Sequence, residues 1–553
     1  MNFLSNLNRK EIINKAQEET FDVLVIGGGI TGAGIALDAT SRGFKTLLIE
    51  KGDFAGGTSS RSTKLIHGGL RYLKQFEIAL VREVGRERAI VHKLAPHLVS
   101  AEKMLLPLTK DGTFGKLSTS FGLFVYDVLA GVEKPDQRVM LSQEETMEKE
   151  PLMDKSNLVG AGYYAEYRTD DARLTIEVIK TAIKNGAICL NYTEATEFIY
   201  KKGKVAGVIC KDYIGGKSIE LKAKYVVSAA GPWVDQLRTK NKSLKGKRLH
   251  LTKGVHLVVP HEKFPIKQAI YFDVPDGRMI FAIPRNKITY IGTTDTNYKG
   301  DIDKVLTEVH DAEYLVDAVN NAFPAVQLKV ADVISSWAGL RPLIHEDGKS
   351  ASELSRKDEI FESDTGLISI AGGKLTGYRK MAERIADLIT KKFGNKAEKL
   401  KSRRCFTDTI VLEGGHFKDA EEVETYKKSL FERVKFSNLT FYDIDSLVRN
   451  FGSQSATIID KYFEFLEEDK SQPLIALGRA ELWFGVENEL IVTVSDYFIR
   501  RTGRLYFDVE SVLPLSEKII EDLSNYYQWD KARIKKELDE IKQYVFEAAE
   551  IYK

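Results

Sequence analysis

Cysteine is nearly absent: Cys189, Cys210 and Cys405 are the only three in 553 residues, and no two stand at metal-ligand or redox-pair spacing. This argues against a disulfide framework and for a reducing, cytoplasmic compartment, with each thiol expected as a small buried hydrophobe. Long apolar runs are missing as well, since no window approaches the ~18 residues of a spanning helix. The N-terminal stretch carries Lys10, Glu11, Lys15, Glu18 and Glu19 in place of the apolar core of a secretory signal. Proline is sparse, at 13 residues, and neither internal repeats nor low-complexity segments occur, so nearly all of the chain is expected to fold. Charge of one sign is lacking too: 81 basic against 79 acidic residues leave +2, too little for the long-range field that draws a protein onto nucleic acid. No metal site is expected.

What the sequence does have is glycine in informative places. A chain of this length exceeds the roughly 250–300 residues of a single core, so two or three domains are expected. Asp22–Ile26 reads as a buried strand running into Gly27-Gly28-Gly29-Ile30-Thr31-Gly32, followed by a helix ending near Arg42-Gly43 and a strand Lys45–Ile49 ending at Glu50. A Gly-x-Gly-x-x-Gly string is weak alone, but a strand before it, a helix after it and an acid about twenty residues on make it a dinucleotide fingerprint. Gly27 allows the tight turn, Gly29 lets backbone approach a pyrophosphate, and Gly32 lets the helix pack on the sheet. The helix N-terminus then offers N–H groups to the phosphates, and Glu50 is expected to accept hydrogen bonds from an adenosine ribose.

The fingerprint alone does not separate FAD from NAD; the chain beyond Glu50 decides between them. Gly56-Gly57-Thr58-Ser59-Ser60 and Lys64-Leu65-Ile66-His67-Gly68-Gly69-Leu70-Arg71-Tyr72 form a glycine- and hydroxyl-rich loop where a nicotinamide enzyme would continue its βαβ repeat. Such a loop suits a longer cofactor running on to a flavin ring. Downstream, Val226–Trp233 is a buried strand ending in the small residues Ala230 and Gly231, and a further strand end carries Gly372-Gly373-Lys374-Leu375-Thr376 before an amphipathic helix. Three separated glycine turns imply one extended cofactor, FAD. Its candidate contacts are Gly27, Gly29, Gly32, Glu50, Thr58, Ser59, Ser60, Lys64, His67, Ala230, Gly231, Gly373, Lys374, Leu375 and Thr376.

The expected fold class is α/β, with a discontinuous Rossmann-like cofactor domain over 20–95, 160–235 and 360–395. Asp170–Gly186 reads as an amphipathic helix of this part. Residues 96–159 and 236–359 are expected to form a substrate domain, because Arg248–Val259, Gln268–Val274, Arg278–Ile283 and Ile288–Thr293 read as consecutive strands with a hairpin turn at Asp276-Gly277. Val305–Phe323 reads as a helix stopped by Pro324. Beyond a charged connector at 395–404, residues 405–553 read as a separate helical domain whose charges serve as solvated faces.

Ile26–Gly34 together with the more specific string Lys64–Leu73 resembles the FAD-dependent glycerol-3-phosphate dehydrogenase family. Further matches are Ser228–Trp233, Lys253-Gly254-Val255-His256, Ile291–Asp295, Trp337–Leu343 and Gly372–Thr376, in order from about 20 to 395, and the helical tail is similar as well. The resemblance implies a flavin domain of glutathione-reductase or amino-acid-oxidase type, an antiparallel substrate sheet above it and a C-terminal helical domain. It also implies oxidation of glycerol 3-phosphate with electron delivery to a membrane quinone, and therefore peripheral contact with the cytoplasmic face of a membrane. Oligomeric state, a homodimer included, is left open. Oxidases of the same family, which reduce oxygen, carry an extra stretch before the last flavin contact, and no surplus stands here between Trp337 and Gly372.

Such chemistry needs a dianion site, a base for the C2 hydroxyl proton and a flavin N5 facing the C2 hydride. For the phosphate, Arg71, Arg341 and Lys374 are the candidates, with Tyr72 adding a hydrogen bond; the competing reading makes some of these cations structural ion pairs. For the base, both His256 in the substrate sheet and His67 in the loop near the ring are carried, because histidine titrates nearest working pH. Thr293-Thr294-Asp295 offers an alcohol or carboxylate nearby, which a strand-end turn explains equally well. An amine or amino-acid oxidase of the same fold is the other enzyme reading.

Overall fold

The computed structural model describes residues 1–66, 78–110, 112, 123, 137–345 and 358–551. Thr20–Ile26 is apolar along most of its length because it lies inside a sheet covered on both faces. It pairs in parallel with Lys217–Ser228 on one side and Thr46–Ile49 on the other. Ile368–Ala371 and Ile188–Leu190 extend the parallel run, and Glu359–Glu362 closes one edge antiparallel. Successive residues serve opposite faces, as a strand requires. Val23 and Val25 pack under three helices, Ile30–Arg42, Asp171–Lys184 and Tyr378–Phe393. Leu24 and Ile26 pack instead on the helix Arg9–Glu18 and on a meander formed by Thr193–Lys201, Lys204–Asp212 and the first half of Lys217–Ser228.

The helix boundaries follow local chemistry. Gly43 ends the fingerprint helix in a left-handed conformation, φ +100°, with its N–H donated to Ala39 and Thr40 carbonyls. Asp170 caps the next long helix by accepting from the Arg173 N–H at 3.1 Å. The helix expected over Val305–Phe323 starts only at Val309, because Glu308 and Asp311 cap each other there, and it ends at Ala322 before Pro324.

A second sheet of ten strands stands over the carboxyl ends of the first. Its long members are Ser100–Thr109, Leu158–Arg168, Leu249–Pro260 and Ser335–Ile344, the last two paired through ten registers. Among the described residues its pairings are antiparallel except that of Ala269–Asp273 with Ser100–Thr109. The domain boundaries expected from sequence need correction here. Leu65–Ile66 and Leu158–Arg168, which the expected ranges 20–95 and 160–235 give almost wholly to the cofactor part, belong to this second sheet and pair with each other. Strand periodicity reports a buried face but not which sheet supplies the partner.

The described residues from Ala420 onward are helical and dock on the parallel-sheet half through buried charge. Arg173 donates to Glu489 at 2.7 and 2.8 Å, and Lys180 reaches the same carboxylate at 2.9 Å, all fully enclosed. Arg501 donates to Asp53 at 2.7 and 3.0 Å, and Arg500 joins it. These tail charges were expected on solvated faces; they are instead an interface. Cys189 and Cys210 are buried as expected, whereas Cys405 is half-exposed with Sγ 3.3 Å from the Thr407 hydroxyl.

Removing one member of this network leaves its partners charged and enclosed. Glu489→Ala is expected to cost about 3–5 kcal/mol in denaturant unfolding, against under ~1 kcal/mol for the exposed pair Lys435–Glu432. Although burial opposes its charge, Arg501 and Arg500 hold the Asp53 carboxyl down to about 2. Its contribution to stability is therefore complete above ~pH 4, the ordinary aspartate value, and is lost as pH falls toward 2. In Asp53→Asn that part of the acid-unfolding slope should vanish.

Candidate active site

A cavity of about 760 Å³ lies between the two sheets, within the ~300–1,000 Å³ range of small-molecule and cofactor sites. Its floor is built from the loops that leave the carboxyl ends of the parallel strands, the usual ligand position in such sheets. Gly27 turns at φ +116°, and a Cβ there would stand 2.5 Å from the Ala229 carbonyl oxygen. A Cβ on Gly32 would stand 1.8 Å from the Gly27 carbonyl oxygen, so helix and turn meet only because both are bare. Ile30, at the helix start, donates its N–H to the Ser59 hydroxyl at 3.0 Å. Glu50 accepts from Gly28 N–H at 2.7 Å and Gly52 N–H at 2.9 Å; burial pushes its carboxyl above the usual range while these bonds oppose the rise. Two of the roughly four acceptor positions of a carboxylate are thereby used, leaving capacity for hydroxyl donors.

The other two glycine turns meet this one. Gly231 has φ +51°, and a Cβ there would meet nothing within 4 Å; Gly372 and Gly373 turn at φ +78° and +82° ahead of the short turn Leu375–Gly377. Gly27, Gly29, Glu50, Thr58, Ser59, Ala230, Gly231, Gly373, Lys374, Leu375 and Thr376 all line the one cavity. Gly32, Ser60 and Lys64 lie behind its wall. Lys64 is a buried cation: it donates to the Ser60 carbonyl at 2.9 Å and pairs with Asp171 and, at 3.7 Å, Asp170. Burial works against its charge, and the two aspartates more than offset it. His67, Arg71 and Tyr72 lie outside the described residues.

The ceiling belongs to the ten-stranded sheet. His256, only 1% exposed, has Nε2 2.9 Å from the Thr63 hydroxyl and stacks on Trp337 with ring centres 4.8 Å apart and planes 11° apart. Its ring overlies Gly292, where a Cβ would come within 2.1 Å of Cδ2. Its Nδ1 is enclosed and has no hydrogen-bond partner among the described residues. Burial, with Arg341 and Lys64 nearby, holds it well below the usual histidine range, so the imidazole is neutral. Arg341 shares the cavity, donating from Nη1 to the Thr294 carbonyl and Asp295, each at 3.0 Å, and from Nη2 to the Thr293 hydroxyl at 2.9 Å. An ion pair is thus part of Arg341's surroundings, as the competing reading held, while the guanidinium still lines the cavity. Lys374 lines it from the opposite sheet.

Several residues in or behind the cavity wall were not singled out as site residues from sequence. Thr63 and Trp337 hold the imidazole, and the Trp337 indole N–H is itself donated to the Ser62 carbonyl at 3.1 Å. Arg278 pairs with Asp276 and lies 3.9 Å over the Tyr314 ring, at a turn read only as a turn. Trp337 opens the string Trp337–Leu343 that carries Arg341; nothing local marks Thr63 or Arg278. The arrangement offers a dinucleotide groove ending beside a neutral proton acceptor and a guanidinium.

Residues 22–379 match the family model described as FAD dependent oxidoreductase, and residues 405–534 match that of the C-terminal domain of alpha-glycerophosphate oxidase. The chain is 48% identical over 544 residues, 98% of each protein, to the aerobic glycerol-3-phosphate dehydrogenase of Bacillus subtilis. It is 49% identical to the protein of that name from Staphylococcus haemolyticus, over 97% of each. Among solved structures it is similar to the glycerol-3-phosphate dehydrogenase from Bacillus halodurans complexed with FAD, with TM-score 0.84, 43% identity and 99% of each chain covered.

Gly32→Ala should drive the fingerprint helix off its turn. Backbone clash at 1.8 Å exceeds ordinary overpacking, so a loss of at least ~3 kcal/mol in unfolding free energy and of the bound dinucleotide after gel filtration is expected. Retained dinucleotide would show that helix and turn do not need this contact.

Proposed function

We propose, from the premise that the chain belongs to the FAD-dependent oxidoreductases and, within them, to the aerobic glycerol-3-phosphate dehydrogenases, that it oxidises sn-glycerol 3-phosphate to dihydroxyacetone phosphate and passes the electrons to a membrane quinone. The observation that carries the reading is one face of one sheet. Arg341 and His256 stand there two rungs apart, facing the cavity that the three glycine turns line. The residues fit FAD: Gly27 and Gly32 let turn and helix close up below the groove, Gly231 leaves open space beside it, and Glu50 keeps acceptor capacity for ribose hydroxyls. When bound, FAD supplies the acceptor for the C2 hydride at N5.

The chain's own residues do the rest. Arg341 and Lys374 hold the phosphate dianion, a role in which a planar guanidinium fork matches phosphate oxygens in pairs. Arg71 and Tyr72 are assigned to the same anion and His67 to the ring, on the strength of the family resemblance. His256 takes the C2 hydroxyl proton at Nε2, the ring nitrogen 2.9 Å from the hydroxyl of the cavity-lining Thr63. A depressed pKa keeps it unprotonated and so able to accept that proton. The parallel-sheet loops line this end of the cavity, where tail arginines brace Asp53.

Quinone as acceptor is supported by the resemblance and by the missing insertion between Trp337 and Gly372. Peripheral membrane contact follows from that acceptor; among the described residues no helix is long and apolar enough to cross a membrane.

Anaerobic addition of glycerol 3-phosphate should bleach the yellow flavin spectrum, and an unchanged spectrum would sink the reading. Rapid peroxide formation in an oxygen electrode without quinone or dye would assign oxygen as acceptor. Arg341→Ala should raise KM about 10–100-fold with flavin retained, the loss of a charge-assisted contact of ~1.5–3 kcal/mol. If His256 is the base, kcat/KM needs it unprotonated. The acid limb should then lie well below the ordinary ~6.5 of histidine, and His256→Ala should lower turnover about 10²–10⁴-fold.

A further inference from the structure

On the strands Leu249–Pro260 and Ser335–Ile344 the rungs run Thr252 opposite Arg341, Gly254 opposite Gly339 and His256 opposite Trp337. Directly paired residues, and those two apart, share a face. Between the guanidinium rung and the imidazole rung, therefore, stands a rung without side chains. Its two glycines differ in what they permit. A Cβ on Gly339 would stand 2.7 Å from the Arg61 carbonyl oxygen, so this glycine lets the loop of residues 57–63 lie against the strand. A Cβ on Gly254 would stand 2.7 Å from Arg341 Nη2 and 2.7 Å from the Thr293 hydroxyl oxygen, so this glycine lies directly under the guanidinium. Arg341 reaches across it and is held there by Thr293 at 2.9 Å.

We infer that Gly254 is a positioning residue for the anion site: its missing Cβ allows the Arg341 guanidinium to lie back toward His256. The reach from cation to imidazole is thereby set to about one rung rather than two. Two residues of strand advance ~7 Å and four advance ~13 Å. A hydroxyl and a phosphate ester on neighbouring carbons span the shorter gap with their hydrogen bonds and not the longer one. Gly254 thereby selects phosphate monoesters whose reacting carbinol adjoins the ester-bearing carbon, over those in which it lies further along the chain. The inference rests on Arg341 as phosphate ligand. Gly254 is not among the glycines with positive φ, so space, not torsion, is what the position needs. All three clashing atoms belong to side-chain ends, two of them in the guanidinium itself, so alanine is accommodated by displacing the guanidinium while the sheet stays folded.

The test is a double-mutant cycle on the flavin-loaded enzyme with a dye acceptor. Gly254→Ala is expected to raise KM for glycerol 3-phosphate about ten-fold or more with kcat within about threefold and flavin content unchanged. In the Arg341→Lys background, which lacks the fork that meets the new methyl, the same alanine should cost under about threefold. A KM within about twofold of the parent for loaded Gly254→Ala, or an equal penalty in both backgrounds, overturns the inference. Should Gly254→Ala fail to fold, Thr293→Ala serves, because it releases the same guanidinium: a raised KM supports the inference and an unchanged one overturns it. Arg341→Ala separates the levels. If it raises KM while Gly254→Ala is silent, only the positioning role falls; if it leaves KM unchanged, the phosphate assignment falls as well.

Discussion

The two halves of the molecule depend on one buried charge pair, Lys64 with Asp171. Lys64 is fully enclosed, and its partner opens the helix Asp171–Lys184 beneath the parallel sheet. The pair pins the segment that leaves the dinucleotide turn and runs under the substrate sheet. Along that segment Thr58 donates to the Leu340 carbonyl at 2.7 Å, Ser62 N–H is donated to Asp171 at 2.9 Å, Thr63 meets His256 and Leu65–Ile66 joins the second sheet. Removing Lys64 would leave Asp170 and Asp171 without this cation in the interior, a larger penalty than the pair's own net worth. This chain segment thus helps hold cofactor groove and substrate ceiling in register, alongside contacts such as the cluster of Val234, Ile344 and Ala371.

The helical tail acts at one remove from the chemistry. Arg500 and Arg501 hold Asp53, which lines the cavity just after Glu50, and Glu489 ties Arg173 and Lys180 of the helix that also carries Asp171. The same helix therefore answers to the tail at its middle and to Lys64 at its start. The tail thereby bears on the geometry of the groove, since each of these buried charges has a counter-charge on the parallel-sheet half.

What could be read from the residues had a local cause. The glycine fingerprint with its strand, helix and acid is legible because every element lies within about thirty residues and each glycine answers a steric demand between neighbours in sequence. The glycine turns near 231 and 373 were legible as turns, and Ala230, Gly231, Gly373 and Lys374 do line the cavity. Ser60 and Lys64 sat in the right loop but behind the wall, because alternation along a loop does not announce which side chains face inward. His256 and Arg341 came from motif strings and not from periodicity, while Thr63, which holds the imidazole, and Arg278 carried no local signal at all.

By itself the sequence determined the parallel dinucleotide half, the antiparallel strands and the helical tail, because hydrophobic period, capping residues and turn glycines act over short stretches of chain. The tertiary structure alone decided that Leu158–Arg168 joins the substrate sheet, that the tail's charges are buried partners, and that Gly254 lies beneath the guanidinium. Those facts depend on which distant segment supplies the neighbouring strand or counter-charge, and a residue's own identity does not encode the partner that packing brings to it.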